Sequence, residues 1–166
     1  MQLPILGVLV CLLAACTPVQ GSGTTKPTCL TVYRFPGGEK LAQVPTADQN
    51  LFFLSFIHSV SKTPVQDEYR VVNGMIVQVA EYFETHGAGL PSQLDEPGVK
   101  RWEQRQGKFI VFMERPISRL IVRTDARYRN RLHSGTDTIN LDQWPDQALE
   151  ITIEPCVLST CGPFSN

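Results

Sequence analysis

The sequence predicts an all-β domain, a small antiparallel β-sandwich or half-open barrel of about seven strands with at most one short helix. Three observations carry that expectation. Asn73-Gly74 stands between two apolar-rich runs and is the strongest short hairpin signal, a two-residue type I′ turn. Residues 148–155 alternate strictly, with Leu149, Ile151 and Ile153 on one face and Glu150, Thr152 and Glu154 on the other. Gly and Pro, 12 of each in 166 residues, punctuate the chain too often for a helical bundle.

The elements follow in order. Residues 29–34 form a β-rich run closed by the turn Pro36-Gly37-Gly38. Residues 50–58 are apolar and aromatic, suited to a central strand buried on both faces. Residues 67–72 and 75–85 flank the Asn73-Gly74 turn. Residues 108–114 and 117–123 read as another strand pair, interrupted at Arg115-Pro116. Only 97–106 offers a short helix, and residues 86–107 make a long excursion of the kind that often carries function. The chain divides into a leader (1–15), a lipidated Cys16 with a Pro/Gly-rich tether (16–28), one β domain (29–157) and a tail (158–166).

The leader sets the compartment. Residues 3–15 are apolar, broken only by Pro4 and Gly7, and end in Leu13-Ala14-Ala15-Cys16, a bacterial lipobox. Small side chains at Ala14 and Ala15 admit the signal peptidase, and the Cys16 thiol accepts the diacylglyceryl group. The run is too short to span a bilayer of about 30 Å. The expected location is the bacterial cell envelope, lipid-anchored and facing the periplasm. Thr17 favours the outer membrane in a Gram-negative cell. In that oxidising compartment Cys29, Cys156 and Cys161 allow one bridge, either Cys29–Cys156 between the ends of the domain or Cys156–Cys161 across a short loop.

Charge is balanced overall, 15 Lys and Arg against 16 Asp and Glu, which excludes a globally basic nucleic-acid binder. With 42% hydrophobic residues the chain can build a core. The balance is uneven along the chain: residues 100–131 net +7 and the remainder −8. Alternation at Arg127, Arg129 and Arg131, with Arg123 nearby, marks either a solvated strand edge or a docking patch for an acidic partner or anionic lipid. No nucleic-acid partner is expected.

From His58 the text becomes specific. Residues 52–71, FFLSFIHSVSKTPVQDEYRV, carry an HSV-x-x-TPV motif followed by Asp67 and Glu68, and GAGLP stands at 87–91. In these motifs the chain resembles the domain-of-unknown-function 1850 family, over roughly residues 29–155. The resemblance implies a bacterial or archaeal protein, often encoded beside tripartite (TRAP-type) transporters with TAXI-class solute-binding proteins. It implies no catalytic residue.

Plain hairpin arithmetic pairs Val72 with Met75, Arg70 with Val77 and Glu68 with Val79, and sets Glu81 diagonal to Glu68. A loop centred on Thr63 would bring His58 opposite Glu68. His58, Glu68, Arg70 and Glu81 would then share a face. Such a group reads as a structural polar network that pins the loop, or as a ligand site of His58, Ser59, Thr63, Glu68, Arg70, Glu81 and the Gly87 and Gly89 backbone for a small anion or organic acid. A divalent metal on His58, Glu68 and Glu81 is the third reading.

Gly87-Ala88-Gly89 serves equally as a tight turn. His58 and Ser59, adjacent on a strand, face opposite ways, and no GxSxG, HExxH or P-loop occurs. The expectation is a non-enzymatic protein without a cofactor, an accessory or small-solute-binding module of a TRAP-type system, the alternative being an independent metal- or anion-binding domain. Replacing Cys16 by Ser should abolish metabolic labelling by an alkynyl fatty acid and move the protein from the membrane to the soluble fraction.

Overall fold

The computed structural model describes residues 27–86, 89–91 and 95–156. Eleven strands run in chain order among the described residues: β1 Thr28–Phe35, β2 Lys40–Pro45, β3 Leu51–Ile57, β4 Pro64–Val72, β5 Met75–Phe83, β6 Val99–Arg105, β7 Lys108–Ile117, β8 Leu120–Arg123, β9 Arg131–Ser134, β10 Asp137–Asn140 and β11 Ala148–Pro155. Among the described residues the helical elements are short 3-10 turns. The strands form two antiparallel sheets, a small one in the order β2-β1-β11-β8 and a large one in the order β10-β9-β3-β4-β5-β7-β6. The sheets pack as a sandwich and do not close into a barrel. The fold class is as expected, with more strands than the seven anticipated.

Local chemistry explains the elements. Asn73 and Gly74 both have positive φ, as a type I′ turn requires, and Val72 pairs with Met75. The same turn recurs at Gln106-Gly107, with φ of 51° and 79°. It folds β6 back on β7, so residues 97–106 hold a strand rather than the expected helix. Gly98, at φ +83°, enters that strand where a Cβ would lie 2.9 Å from the Glu114 carbonyl oxygen. The Glu114 N–H donates to Gly98 O at 2.8 Å across this close approach.

Two other strand expectations are corrected. Residues 108–114 and 117–123 do not make a hairpin. The segment 108–117 is one strand, and Ser118-Arg119 carries the chain from the large sheet to the small one. β3 is not buried on both faces: Phe52 and Leu54 are buried inward, whereas Phe53, Ser55 and Ile57 are only half-buried.

The core falls into two parts. Leu30, Val32, Phe52, Leu54, Leu132, Leu149 and Ile151 pack between the sheets. Each such fully buried side chain contributes about 1.5–3 kcal/mol. The small sheet is narrower than the large one. Past its edge a second cluster of Val65, Phe83, Val111 and Met113 is covered by Leu90 from the 84–98 connection. The alternation of β11 is as read: Leu149 and Ile151 are buried, and Ile153 packs against the same core.

Of the two bridges the spacing allowed, Cys29–Cys156 is formed, with its Cα atoms 5.0 Å apart on the adjacent strands β1 and β11. Cys161 lies outside the described residues, as do Cys16 and the rest of the leader. The bridge closes a loop of 127 residues, so its loss frees a large denatured-state entropy. Cys29→Ser should lower stability by about 3–5 kcal/mol in urea unfolding, with no further loss on adding a reductant.

Candidate functional site

The inner face of the large sheet carries polar residues in its apolar phase. In β4 the inward positions are Val65, Asp67, Tyr69 and Val71, and in β7 they are Phe109, Val111, Met113, Arg115 and Ile117. One transverse row of cross-strand partners runs Leu132, Leu54, Asp67, Glu81, Val111 and Trp102. The next row holds Phe52, Tyr69, Gln78 and Arg115. Two carboxyl groups therefore sit side by side in an otherwise apolar row.

A β-bulge puts Glu81 there. Gln78 pairs with Tyr69, but the next pair on the ladder is Ala80 with Glu68, which leaves Val79 as the extra residue. Without the bulge Glu81 would follow Gln78 with opposite parity and face outward. With it, Glu81 turns in opposite Asp67 and is 6% exposed.

The group is hydrogen-bonded, though loosely. Tyr69 Oη donates to Asp67 Oδ2 at 3.2 Å and Gln78 Nε2 to Oδ1 at 3.4 Å. Arg115 donates through Nη1 to Gln78 Oε1 at 3.5 Å and through Nη2 to Pro97 O at 3.2 Å. That last bond ties the end of the 84–98 connection to the inner face. Burial pushes the Asp67 carboxyl up to about 6, opposed by Tyr69, Arg115 and Gln78. Glu81 is pushed further, to about 8, by burial and then by the charge of Asp67, with Arg115 opposing and Glu96 adding. The proton therefore stays on Glu81, while Asp67, which has the hydrogen-bond donors, ionises first.

Asp67 and Tyr69 also line a cleft of about 290 Å³ between the sheets. Its floor is β3 and β4, including Leu54, Phe56 and Asp67, with His58 just past the end of β3. One wall is β8, and the far end is closed by Tyr128 and Asn130. His58 is held by its own turn: Nδ1 accepts from the Ser61 N–H at 3.1 Å and the Val60 N–H at 3.3 Å. Lys62 of that turn lies over the Tyr128 ring, 5.3 Å from its centroid. The Asn130 side-chain oxygen is buried and has no hydrogen-bond partner among the described residues.

The expected group of residues is redistributed. The His58 N–H donates to Thr63 O, and Ile57 pairs with Pro64, so His58 stands opposite Thr63 rather than Glu68. Ser59 lines the cleft, while Thr63 Oγ1 lies 2.8 Å from Ser61 Oγ within the turn. Glu68, adjacent to Asp67 on the strand, faces the opposite side, where it accepts from Tyr82 Oη at 2.6 Å. Arg70 shares that outer face. His58, Glu68 and Glu81 are thus not brought together, and among the described residues no group of three His, Cys, Asp or Glu side chains could hold a metal.

Gly87 lies outside the described residues. Gly89 has a φ of +88°, as a turn glycine does.

The basic patch is also broken up. Arg127 sits in a 3-10 turn capped by Asp125 and pairs with it, Arg129 is left-handed at φ 54°, and Arg131 starts β9 and pairs with Asp142. These residues share no strand face, because the turn at 126–128 interrupts the alternation. Arg123 lies across on β8, in the other sheet.

Sequence reasoning passed over Tyr69, Gln78, Arg115 and Asn130 and gave Asp67 only as part of a motif. Two of them were signalled: Asp67 and Arg115 each occupy the apolar phase of an alternating strand. Gln78 lay within reach of the plain hairpin arithmetic, which pairs it with Tyr69; Glu81 was named, but the bulge at Val79 turns it to the other face, and Asn130 was hidden by its place in a loop.

Fold and site together define an all-β sandwich domain with a polar-floored cleft beside the edge of its smaller sheet. Residues 52–141 match the family model described as Domain of unknown function (DUF1850), and the chain belongs to that family. No curated protein and no solved structure matches it.

The buried acid pair makes stability depend on pH with a definite sign. Glu81 is protonated in the fold up to about pH 8 but ionises near the ordinary glutamate value of 4.5 when unfolded. Its contribution is fully present below that value and lost as pH rises, by up to about 1.4 kcal/mol per pH unit. Glu81→Gln should flatten this slope, leaving stability unchanged near pH 5 and raising it by about 1–3 kcal/mol at pH 8 in denaturant titrations.

Proposed function

We propose that the protein is an exported, lipid-anchored, non-enzymatic binding domain that takes a small solute into the cleft between β8 and the floor of β3 and β4. The observation that carries the reading is the cleft itself. It is close to the lower limit of ordinary ligand sites in size, apolar along Leu54, Phe56, Ile57 and Leu120, with a few convergent polar groups in Asp67, Tyr69, His58 and Asn130. Such a site suits binding better than chemistry. The His58 Nδ1 is occupied by the N–H groups and the Ser61 hydroxyl of its own turn, and the Ser55 hydroxyl meets its base, His133 Nε2 at 2.8 Å, on the face of β3 opposite Leu54 and Phe56.

The Leu13-Ala14-Ala15-Cys16 lipobox supports residence in the cell envelope, and a structural disulfide accords with an oxidising compartment. The resemblance to a family often encoded with TRAP-type transporters supports a role as accessory to such an uptake system. Native purification of the tagged lipoprotein should then carry TRAP-type membrane subunits with it, and recovery without any of them would remove the accessory role. In thermal unfolding against a panel of small organic acids, amino acids and short peptides, a true ligand at 100-fold above its Kd should raise Tm by about 5–10 °C. Asp67→Ala should abolish that rise.

A further inference from the structure

The wall of the cleft is an edge strand, and its main chain is unsatisfied on one side. β8 pairs only with β11 among the described residues. The Thr124 N–H donates to Gln147 O at 2.9 Å, toward β11. In an antiparallel ladder alternate residues point their N–H and C=O groups the same way. Val122 and Leu120 therefore also face β11, and the main-chain groups of Ile121 and Arg123 face the opposite way.

Both residues line the cleft. Their side chains do not fill it: Leu120 and Val122 turn into the core, which leaves Ile121 and Arg123 on the outer face of the small sheet. Arg123 there borders a depression with Phe35, Pro36 and Ala148. What β8 offers the cleft is thus a strip of free backbone donors and acceptors.

Edge strands are usually blunted by charge, proline or brevity. β6 carries Lys100, Arg101, Glu103 and Arg105; β2 carries Lys40 and Pro45; β10 has four residues opening with Asp137. β8 is equally short but reads Leu-Ile-Val-Arg, and Ile121 is 37% exposed.

We infer that β8 captures a short extended peptide by strand addition, with a donor-bearing side chain of the peptide seated in the cleft against Asp67 and Asn130. The inference rests on the cleft being the binding site and names its ligand class. Strand addition draws affinity from main-chain hydrogen bonds and specificity from a pocket for alternate side chains. The edge supplies the first and the cleft the second. At about 290 Å³ it holds roughly ten waters' worth of volume, enough for one long side chain.

The cleft's polar groups select that side chain. Asp67 is an acceptor whose present hydrogen bonds are long, and the Asn130 oxygen, on a residue 7% exposed, is an acceptor with no partner among the described residues. A lysine or glutamine side chain satisfies them, whereas a carboxylate would face Asp67, and the Arg131 guanidinium in the lining is already paired with Asp142.

The test uses the full-length protein and blocked pentapeptides, Ac-Val-Thr-X-Thr-Val-NH2, with X as Lys, Gln, Leu or Glu. The Lys and Gln peptides should bind at least 10-fold more tightly than the Glu peptide, and the Lys-to-Gln ratio tells whether the seated donor is charged. Binding should slow amide exchange at Ile121 and Arg123 at least 10-fold. N-methylation of the peptide beside X should cost at least 10-fold in affinity.

Ile121→Pro removes an N–H that makes no ladder bond, so it should abolish binding while leaving Tm within about 2 °C. The ligand-side N-methyl peptide keeps the test decisive if that variant is unstable. Peptides that bind Ile121→Pro or tolerate N-methylation as well as the parent would overturn strand addition. Protection of the cleft by free amino acids or organic acids but by no peptide would overturn it while leaving the solute-binding reading intact. Binding by neither class would remove both.

Discussion

The two sheets differ in width, and the architecture of the site depends on that difference. The four strands of the small sheet cover β9, β3 and part of β4 and β5, and then stop at β8. The remaining inner surface of the large sheet cannot face water, since it carries Phe83, Val111 and Met113. The 84–98 connection supplies Leu90 over these residues, and Arg115 and Gly98 tie its end down. The cleft lies beside the edge of the small sheet, so its wall is a strand edge and its floor the inner face of β3 and β4.

The same boundary holds the buried acids. A carboxylate in an apolar row is costly unless paired or neutralised, and here both devices operate. Asp67 receives Tyr69, Gln78 and the field of Arg115, while Glu81 keeps its proton. A fully apolar row would pack at least as well, because replacing buried charges by hydrophobic groups is often neutral or stabilising. Asp67 lines the cleft and lies beside Glu81, which does not, so the polar row provides the floor of the cleft with its one carboxylate and links it through Arg115 to the covering connection.

Much of this was legible in the residues. Alternation in 148–155, the Asn73-Gly74 turn and the aromatic run at 50–58 specify strands because a pleated chain repeats every two residues. Asp67 was legible too, as an acid in the apolar phase of its strand. The hairpin arithmetic failed at one point for a physical reason. A bulge inserts a residue without changing the composition of the strand, and every side chain beyond it changes face. That single insertion parted Glu81 from Glu68 and joined it to Asp67. The helix expected at 97–106 failed similarly, because Gln106-Gly107 forms a turn whose positive φ at Gln106 is uncommon outside Asn, Asp and Gly.

By itself the sequence determined the class of fold, the approximate strand positions and the presence of thiols able to clip the domain. These depend on local periodicity and on short contiguous motifs. Only the tertiary structure decided that Cys29 joins Cys156, that His58 serves its own turn, and that the basic residues from 123 to 131 share no face. It also decided that Ile121 and Arg123 leave their main chain open to a cleft floored by Asp67. Those outcomes turn on register and on how one sheet overlaps another, which are set by pairings between residues far apart in the chain.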